Sequence, residues 1–140
     1  MPLRLRPSEP DLPRLLHTAD WQIGRQYSQF SPEDSSAISE ARIDAVAAIA
    51  KLATENAVDA VLVAGDVFDT QTVAERTIRK LFNAMQGFSG PWIMIPGNHD
   101  AALTESVWTQ AQRLGALPSN LHLALTGKVI EFSELKFAAL

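Results

Sequence analysis

The sequence predicts an α/β fold in which a parallel or mixed sheet is flanked by helices. Short β-branched apolar runs alternate along the chain with longer segments whose apolar residues recur at helical spacing. Right-handed crossovers between successive strands of this kind bring them into one parallel sheet. The length of 140 residues suits a single domain with a sizeable core.

The first strand and helix follow a proline-rich start. Residues 1–14 contain four prolines and no apolar core of a signal peptide, so they are predicted to be an extended lead-in. Residues 15–19 form a short apolar run that predicts a strand. A polar loop then leads to an amphipathic helix predicted over residues 36–56. Its apolar face is formed by Ile43, Val46, Ile49 and Ala53.

The second strand is predicted at residues 59–64, whose continuous β-branched character is typical of a strand buried on both faces. It stops at Gly65-Asp66. Thr72 followed by Glu75 has the form of a capping box and predicts the start of a second helix. The apolar stripe of that helix consists of Ile78, Leu81, Phe82 and Met85, with Gly87 as its stop.

A third strand is predicted at residues 92–95 and ends at Pro96-Gly97, and a third helix is predicted at residues 106–114, with Gly115 beyond it. The stretches LHLAL, KVIEF and LKFAAL then predict three short antiparallel strands that begin a second sheet or a mixed edge. Because the chain ends inside an apolar strand, we expect residues 15–140 to be the N-terminal part of a larger, truncated domain.

Composition excludes several classes of protein. With 46% apolar and 20% charged residues, the chain has the composition of a soluble globular protein. It has no cysteine, which rules out disulfides and thiolate metal sites. No apolar run reaches about 18 residues, so no membrane helix is expected. A net charge of −4 argues against a generally basic nucleic-acid coat, although not against a local basic patch. We expect a cytoplasmic protein.

Polar residues follow all three predicted parallel strands. Asp20 follows the first, Asp66 follows the second after a glycine, and Asn98-His99-Asp100 follows the third after another glycine. Because the carboxyl ends of parallel strands share one edge, where ligands bind, these residues are expected to converge. Oxygen ligands favour Mg²⁺ or Mn²⁺, and a neighbouring imidazole also admits Fe²⁺ or Zn²⁺. A central carboxylate such as Asp66 could bridge two ions about 3.5–4 Å apart.

Each acidic residue can also be explained by a structural role instead of metal binding. A single Asp after a strand is more often a helix N-cap or a turn residue, and this is what we expect of Asp69 and allow for Asp100. The sequence GNHD after an apolar strand is more specific, because a cap needs no histidine beside an asparagine. Three such strand ends together favour a site.

The remaining histidines, and the arginines and lysine outside the cluster, are expected to have structural rather than catalytic roles. His17 precedes Asp20 on the first strand and is expected to pack or to support a ligand rather than to bind metal. His122 lies in LHLAL and is expected to be structural. Arg25 is placed to contact a phosphate, although an exposed loop arginine needs no function. A solvated helix face is expected for Arg76, Arg79 and Lys80.

HTADW around Asp20, VLVAGDVFD over residues 61–69 and IPGNHD over residues 95–100 resemble the opening motifs of calcineurin-like metallophosphoesterases. HTADWQIGR together with GDVFD is most similar to the SbcD-type DNA repair exonucleases. This resemblance implies the first half of an α/β/β/α sandwich and two divalent metals, with Mn²⁺ favoured and Mg²⁺ the alternative. It also implies DNA as substrate, an SMC-like coiled-coil ATPase as partner, and a homodimer.

The resemblance also implies a role for each site residue. Asp20 would bind the first metal, Asp66 would bridge both, and Asn98 would bind the second. His99 would stabilise charge at the scissile phosphate or protonate the leaving oxygen. Of the clustered side chains, His99 is the one that changes charge near neutral pH, which agrees with this role.

Two features depart from the family pattern. Gln22 stands where the family has a histidine that binds the first metal, and a neutral amide is a poorer ligand for Mn²⁺ or Zn²⁺. Further histidine ligands are also missing, since only His122 follows His99 and it lacks the expected glycine before it. We therefore expect a weakened first metal site, and little or no nuclease activity from these 140 residues alone.

The sequence thus favours a metal-dependent phosphodiesterase, a DNA exonuclease or endonuclease acting in DNA repair. A phosphatase or small-molecule phosphodiesterase of the same superfamily is the second enzymatic interpretation. A non-catalytic module that binds DNA or a protein partner through a degraded site is the third, and Gln22 motivates it. Keeping Asp66, Asn98 and His99 together without a metal would be costly, which argues against that module.

Overall fold

The computed structural model describes residues 12–69, 73–97, 107–125, 127, 129–132 and 137–139. In chain order its elements are β1 (Leu15–Thr18), α1 (Pro32–Glu55), β2 (Ala60–Ala64), α2 (Glu75–Ala84), a 3₁₀ turn (Met85–Gly87), β3 (Trp92–Ile95), α3 (Val107–Arg113), β4 (Leu121–Leu123), β5 (Ile130–Phe132) and β6 (Phe137–Ala139). Within those ranges, no helix combines the length and apolar character needed to cross a bilayer.

The sheet is parallel, as predicted. Its strand order is β1-β2-β3-β4, and each neighbouring pair runs in parallel. The expectation that LHLAL is antiparallel is wrong, because β4 pairs in parallel with β3, with Ile93 opposite His122. The segment between β3 and β4 contains α3 and has the length that a parallel crossover needs. The expectation is confirmed for β5 and β6, which form a separate antiparallel pair.

Helix α1 begins four residues earlier than predicted. Ser31 is its N-cap, with the hydroxyl accepting the Asp34 N–H at 3.1 Å, and Pro32 occupies the first helical position, where its missing N–H costs nothing. The helix ends in a Schellman motif. Ala57 lies in the left-handed region at φ 48°, and the Val58 N–H donates to the Ala53 carbonyl at 3.1 Å.

Helix α2 does not use the predicted capping box. Its N-cap is Ala74, which makes no side-chain capping bond, and Glu75 is the first helical residue rather than the third. Thr72 lies outside the described residues. Glu75 instead pairs with Arg79 one turn later, at 2.9 Å. The predicted stop at Gly87 is confirmed, because the 3₁₀ turn that follows α2 ends there.

The helices pack against one face of the sheet. In the parallel register, Val61 and Val63 share that face with Trp92 and Met94, and all four are buried. The helical side chains packed in the same core are Val46, Ala50, Ala53, Ile78, Leu81, Phe82, Val107, Trp108 and Ala111. The opposite face is more open, since Leu15 and Ile95 are 43% and 48% exposed. The helices thus cover one face of the sheet, and the carboxyl ends of its strands lie at one edge.

Candidate metal centre

The segments that follow β1 and β2 continue side by side beyond the strands. Three backbone N–H groups after β1 donate to carbonyls after β2, which extends the pairing past the last strand residues. These bonds run from Asp20 to Gly65 (3.1 Å), from Gln22 to Asp66 (2.9 Å) and from Ile23 to Val67 (2.8 Å). Asp20 and Asp66 are therefore carried on two loops joined to each other, as the sequence predicts.

The backbone of these loops is strained. Asp20, Gln22 and Asp66 have φ of 56°, 50° and 52°, in the left-handed region that L-residues enter at a cost. A residue held in a sparsely populated region costs about 1–3 kcal/mol, and such residues cluster at functional sites. Gly65, at φ 86°, takes its conformation without that cost. The strain is thus concentrated on the residues that the sequence singles out.

Gly97 brings the end of β3 against Asp66. A Cβ atom built on Gly97 would lie 2.5 Å from the Asp66 backbone nitrogen and 2.7 Å from its carboxyl carbon. The Asp66 side chain thus occupies the space that any larger residue at position 97 would need. Asn98, His99 and Asp100 follow directly and lie outside the described residues, so their assigned roles remain predictions.

Arg42 anchors the loop between Asp20 and Gln22, and sequence reasoning missed it. Its Nη1 donates to the Trp21 carbonyl at 3.1 Å and its Nε donates to the Tyr27 hydroxyl. The sequence does contain an indication of this role. Arg42 lies on the apolar face of α1, where a side chain is expected to be buried rather than solvated. Arg42 therefore ties the strained loop to the helix packed beneath it.

The side chain of Gln22 already has a partner. Its Oε1, the one atom with which glutamine can bind a cation, accepts from Arg25 Nη1 at 2.8 Å. A guanidinium in that place repels a cation, so a metal bound by Gln22 would first have to displace Arg25. The contact supports the expectation of a weakened first site, and it gives Arg25 a partner that its exposed position did not predict.

The structure also shows the surroundings of His17, His122 and Asp69, which the sequence analysis considered beside the metal ligands. His17 is exposed on β1, so the expectation that it packs is wrong, and its support of a ligand stays a prediction. His122 packs edge-to-face on Phe132 with ring centroids 4.9 Å apart, which agrees with a structural role. Asp69 does not cap α2, since its N–H donates to the Ile23 carbonyl at 3.0 Å and the N-cap is Ala74.

The chemistry of the donors fits a hard divalent cation. Asp20 and Asp66 offer carboxylates from adjoining loops, and the Gly97 contact holds Asp66 in place. In the described part of the chain, no three side chains of His, Cys, Asp or Glu come together as a metal site. Two carboxylates alone do not complete a coordination shell, so a metal here also needs donors of the kind that Asn98 and His99 carry.

Comparison with known proteins agrees with this geometry. Residues 13–138 match the calcineurin-like phosphoesterase family. The chain is 38% identical over 94 residues to the SbcD subunit of nuclease SbcCD from Rhodobacter capsulatus, 31% over 91 residues to that of Bacillus subtilis, and 35% over 95 residues to that of Escherichia coli K12. These matches include 64%, 62% and 65% of this chain, but only 22% of each relative.

Proposed function

The chain belongs to the calcineurin-like phosphoesterase family, and we propose that it is part of a metal-dependent phosphodiesterase that cleaves DNA, as an exonuclease or endonuclease of DNA repair. One observation carries the proposal: two adjoining strand-end loops present Asp20 and Asp66, and Gly97, the first residue of the GNHD sequence, lies against Asp66. The similarity to the SbcD subunits of SbcCD nucleases supports DNA as the substrate.

The residues of the site divide into metal ligands and a proton donor. Asp20 would hold the first metal, Asp66 would hold both, and Asn98 would hold the second. When bound, the ions would supply Lewis acidity to the phosphodiester and to the attacking water. His99 would donate a proton to the leaving oxygen, or stabilise charge on the phosphate. Arg42 would keep the Asp20 loop in its strained conformation through the Trp21 carbonyl.

We extend the proposal to the cofactor, partners and location. Mn²⁺ is the favoured metal and Mg²⁺ the alternative, because the donors are oxygen atoms with one imidazole. An SMC-like coiled-coil ATPase, a second copy of the chain and a cytoplasmic location complete the proposal, with the names of the relatives supporting a role as one subunit of a larger nuclease. Residues 15–140 would form the N-terminal part of the nuclease domain.

The test is Mn²⁺-dependent cleavage of end-labelled DNA by the longest natural form of the chain. Asp66→Ala should abolish cleavage, whereas Asp44→Ala, which replaces an acidic residue on α1, should leave it intact. Equal loss in both variants, or no loss in either, would contradict the assigned role of Asp66. Activity on nitrophenyl phosphate esters with none on DNA would favour the phosphatase or small-molecule phosphodiesterase instead.

A second candidate function rests on the bond between Arg25 and Gln22. If the guanidinium keeps the first metal out, the fold would serve as a non-catalytic module that binds DNA or a partner. Retained DNA binding, with no cleavage by the longest natural form in Mn²⁺ and no metal bound on titration, would establish this candidate. Metal-dependent cleavage that is lost in Asp66→Ala would exclude it.

A further inference from the structure

A cleft of about 340 Å³ lies beside the loop that carries Asp20 and Gln22. It is bounded by residues 23–26 of that loop, by the first half of α1 and by the start of α2. Its polar side chains include Arg25, Ser35, Ser36, Ser39, Arg76 and Lys80. We call it the serine–arginine cleft. Its lining offers cations and hydroxyl donors together, which is the chemistry that binds a phosphate group.

The cleft is positive although the chain as a whole is acidic. The described residues that line it include three cations and one carboxylate, and that carboxylate, Glu40, pairs with Lys80. Arg25 and Arg76 therefore remain as two uncompensated charges in a chain of net charge −4. Two guanidinium groups in one cleft repel each other unless an anion joins them.

Arg76 differs from the other arginine on its helix. Arg79, three residues later, bonds Glu75 at 2.9 Å and does not line the cleft. Arg76 lines the cleft and, among the described residues, has no hydrogen-bond or ion-pair partner. Its fork of N–H donors is therefore free to take a phosphate in two parallel hydrogen bonds.

Uncharged donors complete the cleft. Ser35, Ser36 and Ser39 present hydroxyls from α1, and Thr77 presents one from α2. The N-cap residue of α2, Ala74, makes no side-chain capping bond, so the positive end of the helix dipole at its first turn also favours an anion. A tetrahedral phosphate can accept from several of these groups at once.

We propose that the serine–arginine cleft binds a backbone phosphate of a DNA strand, next to the phosphodiester that is cleaved. This inference rests on the proposed nuclease function and adds the residues that hold the substrate. The cleft and the metal ligands share one loop, because Ile23 and Gly24 line the cleft and Arg25 bonds Gln22. A strand whose scissile phosphate lies near Asp20 and Asp66 can then place a neighbouring phosphate between Arg25 and Arg76.

The experiment measures binding of a fluorescein-labelled single-stranded oligonucleotide by anisotropy, in EDTA so that no cleavage occurs. We expect Arg76→Gln to weaken binding about five- to ten-fold and to reduce the salt dependence by about one phosphate contact. Arg79→Gln is the matched control and should change binding less than two-fold. Glu40→Gln should act in the opposite direction and tighten binding, because it removes the carboxylate and frees Lys80.

Equal binding by Arg76→Gln and Arg79→Gln would overturn the inference, provided that both variants unfold at the temperature of the unmodified chain. Inorganic phosphate that binds through Arg76 while the oligonucleotide does not would also overturn it, since the cleft would then serve free phosphate. Mn²⁺-dependent DNA cleavage by the longest natural form of the chain is the separate test of the proposed function. DNA binding that depends on Arg76, without cleavage, would reject the proposed nuclease function and support the phosphate site in the cleft. Cleavage together with equal DNA binding by Arg76→Gln and Arg79→Gln would support the nuclease function and reject the phosphate site.

Discussion

Replacing Gly97 with alanine tests the close approach of the ends of β2 and β3. The new Cβ would lie 2.5 Å from the Asp66 backbone nitrogen and 2.7 Å from its carboxyl carbon, roughly 0.7–0.9 Å closer than the 3.4 Å at which ordinary contact begins. The carboxylate can rotate away, but the backbone nitrogen cannot. Either the strand ends must separate or the Asp66 loop must move, and both changes displace the proposed bridging ligand.

The magnitude follows from the cost of overpacking, which is typically about 1–3 kcal/mol. We expect about 3 kcal/mol for Gly97→Ala, because one of the three crowded atoms of Asp66 belongs to the backbone. Alanine also lowers the conformational entropy of the unfolded chain, which stabilises the folded state by about 0.4–1 kcal/mol. The free energy of unfolding should therefore fall by about 2 kcal/mol in total. For a domain of this size the melting temperature should fall by about 6–8 °C.

Thermal unfolding followed by circular dichroism measures the stability, and calorimetric titration with Mn²⁺ measures the metal site. Gly127→Ala is the matched control, because a Cβ there meets nothing within 4 Å. Its melting temperature and metal affinity should stay unchanged or rise slightly. Equal melting of the two variants would refute the argument from crowding. A destabilised Gly97→Ala protein with unaltered Mn²⁺ affinity would refute the placement of Asp66 at the metal.

Three further substitutions test other parts of the structure. Ala57→Gly should stabilise the chain by about 0.5–1 kcal/mol in urea unfolding, because Ala57 holds the left-handed position that Gly115 holds after α3; a loss of stability would contradict that assignment. Arg42→Met should cost about 1.5–3 kcal/mol and weaken Mn²⁺ binding, because the Trp21 carbonyl loses a charged donor, whereas unchanged Mn²⁺ affinity would make Arg42 purely structural. Gln22→His should raise Mn²⁺ affinity at the first site, and equal affinities on titration would reject a weakened site.

Local patterns were sufficient for most of the secondary structure. The strands at residues 15–18, 60–64 and 92–95 and all three helices follow from apolar periodicity, which a short stretch of sequence contains in full. The start of α1 was missed although Ser31-Pro32 is a local signal. The direction of β4 could not be predicted from a local pattern, because it depends on which strand β4 lies against after the α3 crossover.

The sequence alone determined that Asp20 and Asp66 would meet at the carboxyl edge of a parallel sheet, because the order and direction of β1, β2 and β3 follow from the alternation of strands and helices. Only the tertiary structure decided how that edge is built. The left-handed backbone at Gln22, the Arg25 bond to its side chain, the Arg42 anchor and the contact of Gly97 with Asp66 all depend on distances of a few ångströms between packed elements. Periodicity reports which face of an element is buried, but not which polar atoms that burial brings within bonding distance.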